Sequence, residues 1–137
     1  MFRGLSERTA RGGVHEFRFT WLTREPIVLR YDPRGPSLTF KELLPGVARA
    51  SPLLADVQAL VESRTSRTLP AHRRIDRRRV TVACSHRRGA LSVVLVWKGP
   101  NRAYAVRKGV NLVHEIFMAL HASYPEYLWE VFGLPAE

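Results

Sequence analysis

Hydrophobic and polar positions alternate clearly over "HEFRFTWL" (15–22). His15, Phe17, Phe19 and Trp21 fall on one side of an extended chain, and Glu16, Arg18 and Thr20 on the other. "TREP" interrupts the pattern. "IVLRYD" (27–32) resumes it, with Ile27, Leu29 and Tyr31 opposite Val28, Arg30 and Asp32. Two such runs joined by a short polar turn predict a β-hairpin with one strongly aromatic face. "DPRGP" ends the second run. Thr39 and Glu42 then stand at capping-box spacing, which predicts a short helix over 40–44, stopped by Pro45-Gly46.

Ser51-Pro52 supplies an N-cap hydroxyl and a proline at the first helical position. Leu53, Leu54, Val57, Leu60 and Val61 follow at helical spacing and predict a helix over 52–63. Residues 64–79 have no apolar period, so they are expected to form an arginine-rich loop or arm. "VTVAC" (80–84), "ALSVVLVW" (90–97) and "RAYAVRK" (102–108) predict a three-stranded meander, with SHRRG and KGPN as its turns. The middle strand is apolar on both faces, which suggests cover on both sides. Asn111 can cap a helix lined by Leu112, Val113, Ile116, Phe117 and Leu120. Ser123 and Glu126 repeat the capping-box spacing before "EYLWEVF", which Gly133 and Pro135 terminate.

The expected fold is therefore α+β in the order ββαα-βββαα. It comprises an antiparallel sheet built from a hairpin and a meander, with helices mainly on one face. Residues 1–13 are expected to be a flexible basic leader, and 14–135 a single domain. The pattern does not say whether both strand groups join one sheet.

Charge adds a functional direction. The 137-residue chain holds 22 basic and 12 acidic residues, a net +10, and 19 of the basic residues are arginine. Nine arginines and one carboxylate, Asp76, lie between Arg64 and Arg88, so this stretch alone carries +8. Charge gathered in this way creates a local field that attracts anions. Cys84 is the only cysteine, which rules out an intrachain disulfide and suggests a reducing compartment. The first residues lack a signal-like apolar stretch, and no run approaches the ~18 apolar residues of a membrane span. A cytoplasmic protein with no membrane partner is expected.

Motifs for catalysis are sparse. His114 and His121 are seven residues apart, about 10.5 Å along a helix, too far to share a zinc ion as an i, i+4 pair does. There is no phosphate-cradling glycine loop, no CxxC pair and no acidic cluster for a divalent cation, so neither cofactor nor metal is expected. His72 and His86 could serve as acid and base on a phosphodiester, but nothing in their spacing fixes such a geometry. "RRGALSVV" lacks the aromatic that an RNA-recognition strand needs, and no GXXG loop is present.

The pattern points instead to a non-catalytic nucleic-acid-binding protein of low sequence specificity, preferring single-stranded DNA or RNA. The expected phosphate contacts are Arg73, Arg74, Arg77, Arg78, Arg79, Arg87, Arg88, Lys98, Arg102, Arg107 and Lys108. Arg18 and Arg30 extend the groove from the polar face of the hairpin. Trp97 and Tyr104, beside KGPN, are expected to be exposed and to stack on bases, worth roughly 1–3 kcal/mol per base. The rival reading is an interaction protein or ribonucleoprotein subunit docking an acidic partner. The aromatic C-terminal helix offers either core or a homodimer face.

Overall fold

The aromatic hairpin belongs to a longer antiparallel run. A computed structural model describes residues 2–9, 14–21 and 27–133. In it β1 (Phe2–Thr9), β2 (His15–Trp21), β3 (Ile27–Asp32) and β4 (Ser37–Leu44) follow one another up and down. Helix α1 (Pro52–Ser63), the hairpin β5 (Val80–Arg87) and β6 (Ala90–Trp97), and helices α2 (Arg102–Ser123) and α3 (Pro125–Phe132) complete the chain. All six strands form one antiparallel sheet in the order β1-β2-β3-β4-β6-β5. The turn at 23–26, leader residues 10–13 and Pro135 lie outside the described residues.

The architecture is α+β, as the periodicity implies, and both strand groups join the same sheet. Register explains how one face becomes the core. Tyr31 pairs with Leu38, Leu38 with Leu95, and Leu95 with Val82, so apolar positions line up across four strands. A second row runs Leu29, Phe40, Val93, Cys84. Leu53, Leu54, Val57 and Val61 of α1, Leu112, Val113, Ile116 and Leu120 of α2, and Leu128 and Phe132 of α3 join these rows in one buried cluster. The other face of β6 carries Ser92, Val94 and Val96, and Val96 is 41% exposed. The sheet is thus covered on one side, and the expectation of cover on both sides of β6 is corrected.

Three segments depart from their local pattern. Residues 40–44 form the end of β4, not a helix. The register shifts between Phe40 and Leu44 across from β6, and Glu42 adopts a left-handed φ of 49°. This bulge turns Leu43 and Leu44 both inward, and Phe40, Leu43 and Leu44 then imitate helical spacing. The Glu42 amide donates to Ser92 Oγ at 2.8 Å, so the disrupted ladder leaves it satisfied.

Residues 102–108 are not a third meander strand but the first turns of α2. A seven-residue apolar alternation fits strand or helix equally. The spacing Tyr104, Ala105, Lys108, Gly109, Leu112, Val113 decides for helix, because those are the buried positions. Asn101 takes the N-cap position, and Asn111 lies mid-helix. The third departure is Phe2–Thr9, read as leader, which pairs with β2 as β1.

Other local signals act as read. Ser51 Oγ accepts the Leu54 amide of α1 at 3.3 Å, with Pro52 at the first helical position. The tip of the β5–β6 hairpin is Arg88-Gly89, both with positive φ (51° and 76°), as a twisted two-residue turn requires. Gly133, in the left-handed region, ends α3. The Ser123–Glu126 capping box does not form, because Tyr124 occupies the N-cap of α3. The Tyr124 hydroxyl donates to Asp56 and ties this junction to α1.

Helix α2 crosses the sheet at Gly109. A Cβ there would sit 3.1 Å from Phe40 Cε2 and 3.3 Å from Leu95 Cδ1. Gly109→Val is expected to force these buried neighbours apart and lower stability by about 1–3 kcal/mol. The check is a urea midpoint at unchanged slope, and a midpoint equal to the parent's would show that α2 does not approach the sheet so closely.

Candidate functional site

The arginine-rich segment is a packed loop, tied down along its length. Turn hydrogen bonds run from the Arg73 and Arg74 amides to Pro70 O (2.9 and 3.0 Å) and from the Arg79 and Val80 amides to Asp76 O (3.0 Å each). Ile75, in its middle, is 2% exposed, and the Ile75 amide bonds to Arg64 O at 2.8 Å. The anchor is Tyr104 on α2. Its hydroxyl accepts the Asp76 amide at 3.0 Å and lies 3.5 Å from Arg74 O as donor. Lys108, one helical turn on, donates to His72 O at 2.9 Å.

With the backbone held, the side chains sort by partner. Asp76 accepts the Arg78 amide at 2.9 Å and the Arg78 guanidinium at 3.3 Å. These bonds, the amide first, hold its carboxyl below the usual range. Arg64 pairs with Glu115 at 3.0 Å, and Arg77 donates to Thr65 Oγ1 at 3.1 Å. Arg79 lies over the Tyr104 ring at 3.7 Å and donates to Asn101 Oδ1 at 2.8 Å. Arg107 is 5.6 Å from the same ring. Arg67, Arg73, Arg74, Arg77, Arg79 and Arg107 have no carboxylate within 4.0 Å among the described residues. Lys98 joins this end of the sheet, its amide bonded to Arg79 O, and Arg102 reaches Tyr31 Oη at 3.3 Å.

The structure therefore brings Arg73, Arg74, Arg77, Arg78, Arg79, Lys98, Arg102 and Arg107 to one end of β5 and β6. Arg87 and Arg88 occupy the other end, about 23 Å away at ~3.3 Å per residue. Arg49, which sequence reasoning missed, joins them through the Val47 amide to Gly89 O bond at 2.7 Å. No local signal links positions 40 residues apart. Arg30 lies on the uncovered sheet face and pairs with Glu16 at 2.8 Å, so its charge is already answered. Arg18 belongs to β2, in register with Val28; its side chain, like those of Phe17, Phe19 and Trp21, is outside the described ones.

Three expected contacts are corrected by burial. Trp97 is 5% exposed and stacks on Tyr31 at 5.8 Å with an 11° interplanar angle. Tyr104 is 8% exposed under the loop, and Lys108 7%. Neither aromatic can stack on a base without unpacking the core. On α3, Leu128 and Phe132 are core, whereas Trp129 is exposed.

The two histidines weighed as an acid–base pair sit in different surroundings. His86 Nε2 lies 2.6 Å from Val47 O near the β5–β6 turn, while His72 lies in the loop against α2. Burial pushes the Cys84 thiol up to about 11, with the Glu62 carboxylate adding to the shift, so it is a poor nucleophile at neutral pH. Among the described residues, no three His, Cys, Asp or Glu side chains gather as a metal site would require, and no helix is long and apolar enough to cross a membrane. Comparisons with protein-family models, curated proteins and solved structures found no match to this chain.

Proposed function

We propose that this protein binds nucleic acid through phosphate contacts, with low sequence specificity and without catalysis. The observation that carries the reading is the ordered loop over α2, which holds at one end of the sheet several arginines without carboxylate partners among the described residues. An arginine presented on a fixed backbone gives up less freedom on binding a phosphate, and its planar fork can bond bidentately.

The preference for single strands now rests on a different footing, since Trp97 and Tyr104 are buried. What remains is an exposed guanidinium surface with two basic ends about 23 Å apart, which a flexible strand can follow more readily than a rigid duplex. The arginine planes themselves can stack on unpaired bases.

Titrating a labelled single-stranded oligonucleotide and its duplex form at about 50 and 200 mM salt tests this. For roughly five phosphate contacts at ~0.7 per contact, single-strand affinity should fall about a hundredfold between the two. Absence of binding at the lower salt, or affinity indifferent to salt, would remove the proposal. The rival reading, docking on an acidic protein, uses the same arginines. It gains if partners captured on the protein survive nuclease treatment.

A further inference from the structure

A cavity of about 270 Å³ lies between the arginine loop and α2, lined by Arg64, His72, Arg73, Lys108, His114 and Glu115 among others. Its distinguishing member is Lys108. The residue is 7% exposed, and its ammonium donates to His72 O at 2.9 Å and lies 5.5 Å from the Tyr104 ring. An ammonium has three donors, and among the described residues that carbonyl is the one hydrogen-bond acceptor Lys108 meets. Among the described residues no carboxylate pairs with it. Burying a cation with so little compensation is unfavourable unless an anion supplies the rest.

The one carboxylate in the cavity's lining is already engaged. Glu115 Oε2 lies 3.0 Å from Arg64 Nε, an ion pair by distance that lacks hydrogen-bond geometry, so both atoms are buried without a hydrogen bond. Arg64 therefore keeps donors free for another oxygen. Arg73, exposed at the cavity's rim, has no ion-pair partner among the described residues. Three cations and one carboxylate give the lining a net +2 before either histidine is counted.

We propose that this cavity binds a phosphomonoester, with Lys108 Nζ as the inner donor and Arg73 and Arg64 as the flanking ones. A phosphomonoester carries about −1.5 to −2 at neutral pH, which matches the lining, whereas an internal phosphodiester carries a single charge. The volume lies just below the range of sites for drug-sized ligands and suits one terminal group. The terminal phosphate of a nucleic-acid strand is one source, and a free phosphate or mononucleotide is the other. The cavity itself stands apart from the nucleic-acid reading; only the choice of a strand end as its source rests on it.

The experiment compares one labelled single-stranded oligonucleotide in three forms: 5′-phosphorylated, 3′-phosphorylated, and with hydroxyls at both ends. The proteins are the full chain and its Arg73→Ala, Lys41→Ala and Lys108→Met variants. Thermal melting with and without inorganic phosphate or adenosine monophosphate runs in parallel. A phosphorylated end should bind about tenfold tighter than the hydroxyl form in the parent, as expected for charge-assisted hydrogen bonds. That ratio should fall towards one in Arg73→Ala and Lys108→Met and persist in Lys41→Ala, which removes an exposed charge outside the cavity. Because Lys108 is buried, its variant counts only if it melts cooperatively; exposed Arg73 carries the test otherwise.

Equal affinity for all three oligonucleotides, with no stabilisation by either free ligand, overturns the cavity proposal and leaves the nucleic-acid reading intact. Failure to bind any oligonucleotide, together with stabilisation by phosphate or the mononucleotide that Arg73→Ala abolishes, does the reverse: the site stands with free phosphate as its source. Failure of both removes both.

Discussion

Replacing Tyr104 with alanine is expected to destabilise the protein by about 3–5 kcal/mol, the range for truncating a large buried aromatic. Its side chain is 8% exposed, and its loss leaves a cavity between α2 and the loop. The hydroxyl is the partner of the Asp76 amide at 3.0 Å, and the ring is the surface beneath Arg79 at 3.7 Å. Tyr104→Phe separates these contributions. It keeps the ring and strands one backbone donor, for an expected loss of about 1–3 kcal/mol. Urea unfolding gives both numbers. Amide hydrogen exchange locates them, since the protection of Asp76 and Ile75 should drop first and furthest. Were Tyr104→Ala to unfold at the parent's midpoint with those amides still protected, the loop would have some other anchor.

The second large effect concerns the arginines that this anchor presents. Reversing Arg73, Arg74 and Arg77 to glutamate removes three cations that have no carboxylate partner among the described residues. Counterion release of about 0.7 per contact puts the affinity loss for single strands at roughly 10²–10³ near 50 mM salt, with a salt slope shallower by about two to three. Stability should change little, because two of the three side chains are exposed and only Arg77 gives up a bond, to Thr65. The matching variant at the far end, Arg87→Glu with Arg88→Glu, measures whether the bound strand spans β5. A triple reversal that binds as tightly as the parent would dismiss the loop as the interface.

Both experiments address what local sequence could not show. The charge concentration between Arg64 and Arg88 is legible in the sequence, and so are its single carboxylate and the strand dividing it. What cannot be read is that the loop is pinned, because the pins are Tyr104 and Lys108, some 30 residues further along. The same separation hides the cavity, where Arg64, Arg73 and Lys108 meet across a helix and a loop. Sequence reasoning placed Trp97, Tyr104 and Lys108 beside a basic turn and took adjacency for exposure. Their neighbours Lys98, Arg102 and Arg107 are indeed exposed, but a chain alternates its faces, and these three point inward.

Periodicity by itself determined the aromatic hairpin, helix α1, the β5–β6 pair, the inner stripe of α2 and the α+β class, because each depends on contacts repeating within a few residues. The net charge and its location are likewise properties of composition alone. Tertiary structure decided the remainder. Phe40, Leu43 and Leu44 match a helix until pairing with β6 imposes a strand with a bulge at Glu42. Residues 102–108 alternate like a strand until their continuation buries Lys108, Gly109 and Leu112 on one helical face. A short segment satisfies two periods at once, and only the surface packed against it selects between them. Whether a side chain beside a basic turn meets solvent or core is settled the same way, by residues distant in the chain.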